Sequence, residues 1–189
     1  FDSTAEQSGE WMAAWRTALK LNQDEVTTLA DKINYLGNTS SEDAIKLSEV
    51  VTNIGSLGTI AGMAGEDVAA MAAAMTKVDS SVASTGIKNM IKALTIGESA
   101  TKRQNAAYKS LGLNAKDISV SMQKDAQGTI LRVLEGVSKL DKSKQSSIIS
   151  NLFGNESKQA IAPLISNLDN LKEQFNKVGD ASLYAGSME

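Results

Sequence analysis

Three pairs of adjacent carboxylates, Asp24-Glu25, Glu42-Asp43 and Glu66-Asp67, are the residues whose type and spacing best suit them to chemistry. Neighbouring acids can share a proton for general acid–base work or hold a divalent cation. The rest of the usual catalytic inventory is missing. The 189 residues include no histidine and no cysteine, which excludes His- or Cys-based triads, thiolate or imidazole metal sites and disulfides. No EF-hand loop, Walker A sequence, HExxH or GxSxG occurs, and the glycines from Gly55 to Gly65 follow no strand, as a phosphate-binding loop would require. Each acidic pair falls instead in the first turn of an expected helix. There the free N–H groups and the macrodipole favour negative charge by about 0.3–1 kcal/mol per residue. The pairs therefore read as helix starters, and the chain as a non-enzyme with no catalytic, metal or cofactor-binding residues.

Basic residues cluster at Lys102-Arg103 and at Lys139, Lys142 and Lys144, but Glu98, Glu135 and Asp141 flank them and no aromatic interleaves to stack a base. They read as solvated helix faces. The net charge of −3 supplies no global field toward polyanions, so no specific nucleic-acid binding is expected. Trp11 and Trp15 could anchor at a lipid interface or a partner; as helical neighbours they are expected to pack on the core. Gly58 and Gly62 have GxxxG spacing, with Gly65 beyond them. This charge-free stretch allows tight helix packing, a membrane-active hairpin or a self-association face. It is shorter than the roughly 20 residues needed to span a bilayer, which favours packing.

The elements that must position these residues are helices. Hydrophobic residues make up 42% and charged residues 22%, with aromatics at 4% and a single proline. That composition folds, and it lacks the fillers of a β-sandwich. Helical spacing places Trp11, Ala14, Trp15, Ala18 and Leu19 on one face. Asn22 and Glu25 form a capping box for a helix closed by Gly37, and Ser40 with Asp43 opens the next. A small-residue helix follows from about Gly65 to Val78, then a serine-rich turn through Ser80, Ser81 and Ser84 and a helix halted near Gly97. Thr101 or Ser99 starts another, ending at Leu111-Gly112. Residues 114–127 mix helix and strand signals and read as a short helix, then a turn at Asp125–Gly128 with Thr129 capping. Beyond it lie a helix ending in Leu152-Phe153-Gly154 and a long one from Glu156 to Val178, started or kinked at Pro163.

The expected architecture is all-α, an irregular bundle of about nine to eleven short helices in one domain spanning 1–189, with a sub-boundary conceivable near 97–99. The chain opens at Phe1 and closes at Met188-Glu189, and is expected to be a fragment of a longer one. Neither a signal peptide nor a membrane span is visible.

Taken in order, these features resemble the conserved region of phage and prophage tail tape-measure proteins. The resemblance rests on Ser40-Ser41-Glu42-Asp43-Ala44, the apolar Leu57-Gly58-Thr59-Ile60-Ala61-Gly62, and Gly65-Glu66-Asp67-Val68-Ala69-Ala70-Met71. Leu111-Gly112-Leu113, Asp125-Ala126-Gln127-Gly128 and Leu152-Phe153-Gly154 continue it. It implies a structural module acting in tail assembly, length determination and DNA ejection. The implied partners are the tail tube, the tail-tip initiator and the tail assembly chaperone, with self-association and host-membrane contact during ejection as further options. The implied location is the tail interior of the virion, and the host cytoplasm during assembly. Helix stops at Gly37, Gly97, Gly112, Gly154 and Gly179 make this segment a folded module rather than the ruler, since short helices must pack to be stable. The alternative is a secreted helical effector or pore-forming membrane-active protein, inserting through Trp11, Trp15 and the glycine-alanine segment. The interaction or packing positions singled out are Gly58, Gly62, Gly65, Trp11, Trp15, Phe153 and Gly154.

Overall fold

Side-chain acceptors start most of the helices. In a computed structural model describing residues 3–187, Thr4 accepts from Gln7 N at the head of α1 (Ala5–Ala18). Asn22 and Glu25 close a reciprocal box at α2 (Gln23–Thr39). Asp43 caps α3 (Ala44–Ile54) and Asp79 caps α6 (Ser80–Thr95). Thr101 caps α7 (Lys102–Ser110), Asn114 α8 (Ala115–Lys124), Asp125 α9 (Ala126–Ser138) and Asn167 α12 (Leu168–Gly179). Each such cap is worth on the order of 1 kcal/mol. The remaining helices are α4 (Ser56–Ile60), α5 (Gly65–Ala74), α10 (Lys142–Phe153), α11 (Lys158–Ser166) and α13 (Ala181–Tyr184). Phe1, Met188 and Glu189, on which the reading of the chain as a fragment drew, lie outside the described residues.

The fold is all-α, with thirteen α-helices among the described residues rather than nine to eleven. The extra breaks have local causes. The expected long C-terminal helix divides at Asn167, not at Pro163: the Asn167 side chain accepts from Asn170 N and so caps a new helix in place of continuing the old one. The glycine-rich helix stops at Ile60. Conversely, Gly37 is not a stop: α2 runs on to Thr39, and the glycine lets it touch α3, since a Cβ there would lie 2.6 Å from Ala44 N. Asp43 rather than Ser40 caps α3, and α5 ends at Ala74, short of Val78. Ser80, Ser81 and Ser84 lie inside α6 instead of forming a turn, and Asp125–Gly128 opens α9 with Asp125, not Thr129, as its cap.

α5 sits at the centre. Every residue of it except Glu66 is buried, and α2, α3, α6 and α12 surround it. Its alanines bury little area each but let neighbouring backbones come close, so that dispersion contacts accumulate. α12 contributes in the other way, laying Leu171, Phe175 and Val178 against α5 and α2; a fully buried side chain of that size adds about 1.5–3 kcal/mol. Two lysines tie helix ends to their neighbours. Lys46 Nζ donates to Met75 O (2.6 Å) at the end of α5 while pairing with Glu42, and Lys177 Nζ on α12 donates to Thr39 O (2.9 Å) at the end of α2. A cation at a helix C-terminus answers both the dipole and an orphan carbonyl.

Candidate functional site

The glycine-rich corner between α3 and α5 holds three of the singled-out residues, Gly58, Gly62 and Gly65. α4 ends in a Schellman turn: Met63 N donates to Gly58 O (2.8 Å) and Gly62 N to Thr59 O (3.0 Å). Gly62 holds φ +82°, and a Cβ on it would lie 2.6 Å from Met122 O of α8. Both demands, left-handed backbone and contact with a neighbouring carbonyl, select glycine. Gln123 Nε2 of α8 donates to Ile60 O (2.9 Å), completing the joint. A Cβ at Gly58 would meet Ile54 and Val68 at ordinary contact distance, whereas one at Gly65 would press on Leu19 and Leu29. Gly58 and Gly62 thus serve one tight turn, not a continuous helical seam.

Two of the three acidic pairs border this corner, and three of their four carboxylates are engaged. Glu25 accepts from Asn22 N (2.8 Å). Glu66 pairs with Lys32 (2.9 Å), whose Nζ also stands 5.0 Å from the centre of the Tyr184 ring. Asp67 is buried; its Oδ2 accepts from Ala64 N (2.9 Å) and its Oδ1 from Gln127 Nε2 of α9 (2.6 Å). Burial holds its pKa above the ordinary aspartate value, against the lowering effect of those hydrogen bonds. The third pair lies elsewhere, Asp43 capping α3 and Glu42 receiving Lys46 and Lys77 N. Among the described residues, no group of three or more acids is placed to hold a metal ion. Between α1, α2 and α5 runs a groove of about 460 Å³ with Leu19, Leu21 and Met63 on its walls and Asp24, Lys32 and Glu66 on its rim.

The tryptophans belong to the core. Trp15 is 1% exposed and donates from Nε1 to Thr52 Oγ1 (2.9 Å) on α3; Trp11 is 8% exposed on the same face. Phe153 is buried at the end of α10, and Gly154 turns the chain into the next helix, far from the glycine corner in sequence and joined to α6 through Asn89, which donates to Ser157 Oγ (2.7 Å). The structure therefore does not assemble the seven positions into one site. Among the described residues, no helix is long and apolar enough to cross a membrane.

Sequence reasoning missed several residues. Gly86 lets α6 meet α11, where a Cβ would lie 2.6 Å from that of Ala160; a glycine inside a periodic helical pattern was the available signal. Tyr108 is buried with its hydroxyl donating to Ala93 O (2.6 Å), and burial pushes its phenol well up. The serine-rich segment is a polar seam to α3, with Ser80 donating to Glu49 (2.5 Å) and Asn53 to Ser84 (3.1 Å). No local pattern marks those pairings.

The chain is 36% identical, over its whole length, to a "Probable tape measure protein" of Halomonas phage phiHAP-1, covering 22% of that protein. It is 25% identical over 86% of its length to a "Probable tape measure protein" of Escherichia phage P2, covering 20% of that one. The chain thus spans about a fifth of the length of these curated relatives. No solved structure matches it significantly. The family model described as phage-related minor tail protein matches residues 1–154, and the chain belongs to that family.

Proposed function

We propose that this chain is a folded structural module of a tail tape-measure protein, acting in tail assembly and length determination and in DNA ejection, and that it is not the part that measures. The observation carrying the first half is the alignment of the whole chain with a tape-measure relative several times longer. The second half follows from helix length. A ruler extends about 1.5 Å per residue along an unbroken helix, whereas the longest helix here, α2, has 17 residues and is folded back against α3, α5 and α12. Helices of this length owe their stability to packing. The interleaving of α12 with α2 and α5 supports one domain over 1–189, without a functional division at 97–99. The module would sit in the virion tail interior, meeting the tube, the tail-tip initiator or the assembly chaperone through its surface. Membrane contact during ejection would require α5 and both tryptophans to leave the core.

Mass spectrometry and electron microscopy of tail particles test this reading. Peptides of this chain should co-purify with tube protein, and in-frame deletion of flanking helical sequence should shorten tails by about 1.5 Å per residue removed. Deleting this module should block assembly without giving proportionately shorter tails. Particles that lack the chain, or tails shortened in proportion to deletions inside it, would overturn the proposal.

A further inference from the structure

We propose that the cleft between α8 and α9 docks a helix of a partner protein, one that carries an apolar residue with an acidic residue a turn to either side. This cleft is independent of the tape-measure reading. It has a volume of about 320 Å³ and is lined by Lys116, Asp117, Val120, Ser121, Lys124 and Arg132. Lys116, Val120 and Lys124 recur at every fourth residue, so they form one stripe along about 12 Å of α8. Val120 stands between the two lysines at 49% exposure, one of three large apolar side chains left exposed among the described residues. Arg132 of α9 stands on the facing wall. The two walls are held together by the bond between the Ser121 and Thr129 hydroxyls (2.7 Å) and by Asp125, which ends α8 and accepts from Gly128 N (2.9 Å) to cap α9.

The stability of the two helices does not account for these cations. Lys116 lies in the first turn of α8, where the macrodipole disfavours positive charge, and Arg132 lies at the middle of α9, beyond the reach of either end. Of the three, only Lys124 suits its place, in the last turn of α8. Among the described residues neither Lys124 nor Arg132 forms an ion pair. Lys116 pairs with Glu98 (3.3 Å), but both side chains are largely exposed, and so weak a contact yields to an incoming carboxylate. Asp117 is the one acid in the lining, and Asp125 nearby is taken up in its cap. Three cations around an exposed valine are answered by carboxylates around an apolar side chain, which a helix presents at the same spacing of four as α8. A phosphodiester backbone fits less well: it gains nothing from Val120, is repelled by Asp117 and meets no aromatic on which a base could stack. A second copy fits no better. Within the 189 residues only Asp2 and Glu10, and Asp117 and Asp125, are acids eight apart, with Glu6 and Ser121 midway, so the sequence holds no acid–apolar–acid stripe of this spacing.

Nuclear magnetic resonance of the isotope-labelled 189-residue chain tests this, with a helical alanine–glutamine peptide carrying glutamate, leucine and glutamate at successive fourth positions as the probe. Amide signals of α8 and α9 should shift, with a dissociation constant on the order of 100 µM that rises several-fold as salt screens the flanks. Replacing the peptide's leucine, or both of its glutamates, by glutamine should weaken binding about tenfold. In the chain, Lys124→Glu with Arg132→Glu should abolish binding of this peptide and admit one with lysines in place of its glutamates. Both side chains are exposed, and circular dichroism checks that the variant keeps its helicity. Arg132→Glu alone, away from either helix end, should still weaken binding about tenfold should the double variant misfold. No shift at about 1 mM peptide, affinity indifferent to the leucine or to the glutamates, or an Arg132→Glu variant that binds like the wild type would each overturn the proposal. So would a DNA oligonucleotide that binds the cleft more tightly than the peptide at equal salt, or the same signals moving with chain concentration in the absence of peptide.

Discussion

Glycine and alanine around α5 do the work that leucine, isoleucine and phenylalanine do around α12, and the two helices pack against each other. In the first half of the chain, a Cβ added at Gly37 or Gly62 would run into backbone atoms 2.6 Å away, and Gly65 is closed over by Leu19 and Leu29. In the second half, Gly112 and Gly179 face open space. The first region is stabilised by bringing backbones together, the second by filling wider gaps with large side chains. A stretch of small apolar residues free of charge therefore marks the middle of this molecule. Read without its neighbours, the glycine-rich part of that stretch allowed tight packing, a membrane hairpin or a self-association face, and its length favoured packing.

That contrast is broken most severely by exchanging the two strategies. Phe175→Ala on α12 should cost about 3–4 kcal/mol, the loss of a buried ring plus the cavity it leaves. Ala72→Leu on α5 should cost about 2–3 kcal/mol by overpacking, because nothing around it can retreat. Urea denaturation measures both. A well-tolerated Ala72→Leu would mean that α5 is not the close-packed centre described here.

The glycines give the next effect. Gly62 and Gly112 are each the left-handed residue of a Schellman turn, with φ of +82° and +71°. Both should lose about 1 kcal/mol on substitution by alanine from backbone strain. Gly62→Ala should lose at least as much again, because its methyl group would press on Met122 O, where Gly112 has room. Equal losses at the two positions would remove the distinction between packed and open glycines.

A buried and an exposed carboxylate carry the comparison into pH. Asp67 has a folded-state pKa raised above 3.8 by desolvation, so the folded protein holds its proton more tightly than the unfolded chain. Its contribution to stability is greatest at acid pH and is lost as pH rises from about 3.8 through the raised value. Glu135 behaves oppositely. Its hydrogen bond to Lys172 lowers its pKa below 4.5, so the stability it adds is present above that value and is lost as pH falls. Asp67→Asn should cost about 1–2 kcal/mol by leaving Ala64 N or Gln127 without its acceptor. The deficit should be larger at pH 4 than at pH 7. A deficit independent of pH between those limits would show that Asp67 is ionised throughout.

How much of this was legible depended on how local the cause was. The all-α class and the Asn22–Glu25 box follow from residues within a turn or two of one another, and the sequence reading found them; of its two candidates for the start of α7, Thr101 and Ser99, Thr101 is the cap. Gly37 was read as a stop because a glycine at a helix end and a glycine at a helix crossing look alike without the second helix. Ser80 and Ser84 were read as a turn because their partners, Glu49 and Asn53, lie 31 residues away. Asn167 was passed over for Pro163, although an asparagine that caps a new helix breaks the chain here more completely than the proline does. The candidate site was less legible still. Its seven residues divide between the glycine corner, the α1 core face and the end of α10.

The smallest effect concerns a turn that has the glycine geometry without the glycine. α1 ends with Leu21 N donating to Arg16 O (3.0 Å), and Lys20 holds φ +55° where Gly62 and Gly112 sit in the corresponding turns. A Cβ in that conformation costs about 1 kcal/mol. Lys20→Gly removes this strain but gives the unfolded chain more freedom to lose, which offsets part of the gain. The net should be a stabilisation of a few tenths of a kcal/mol, read as a rise of about 1 °C in Tm. The side chain of Lys20 is exposed and enters none of the ion pairs that Lys32 and Lys46 make, so little else should change. A fall in Tm would mean that the lysine's own contacts outweigh the strain, and that the first half uses its glycines for space more than for backbone freedom.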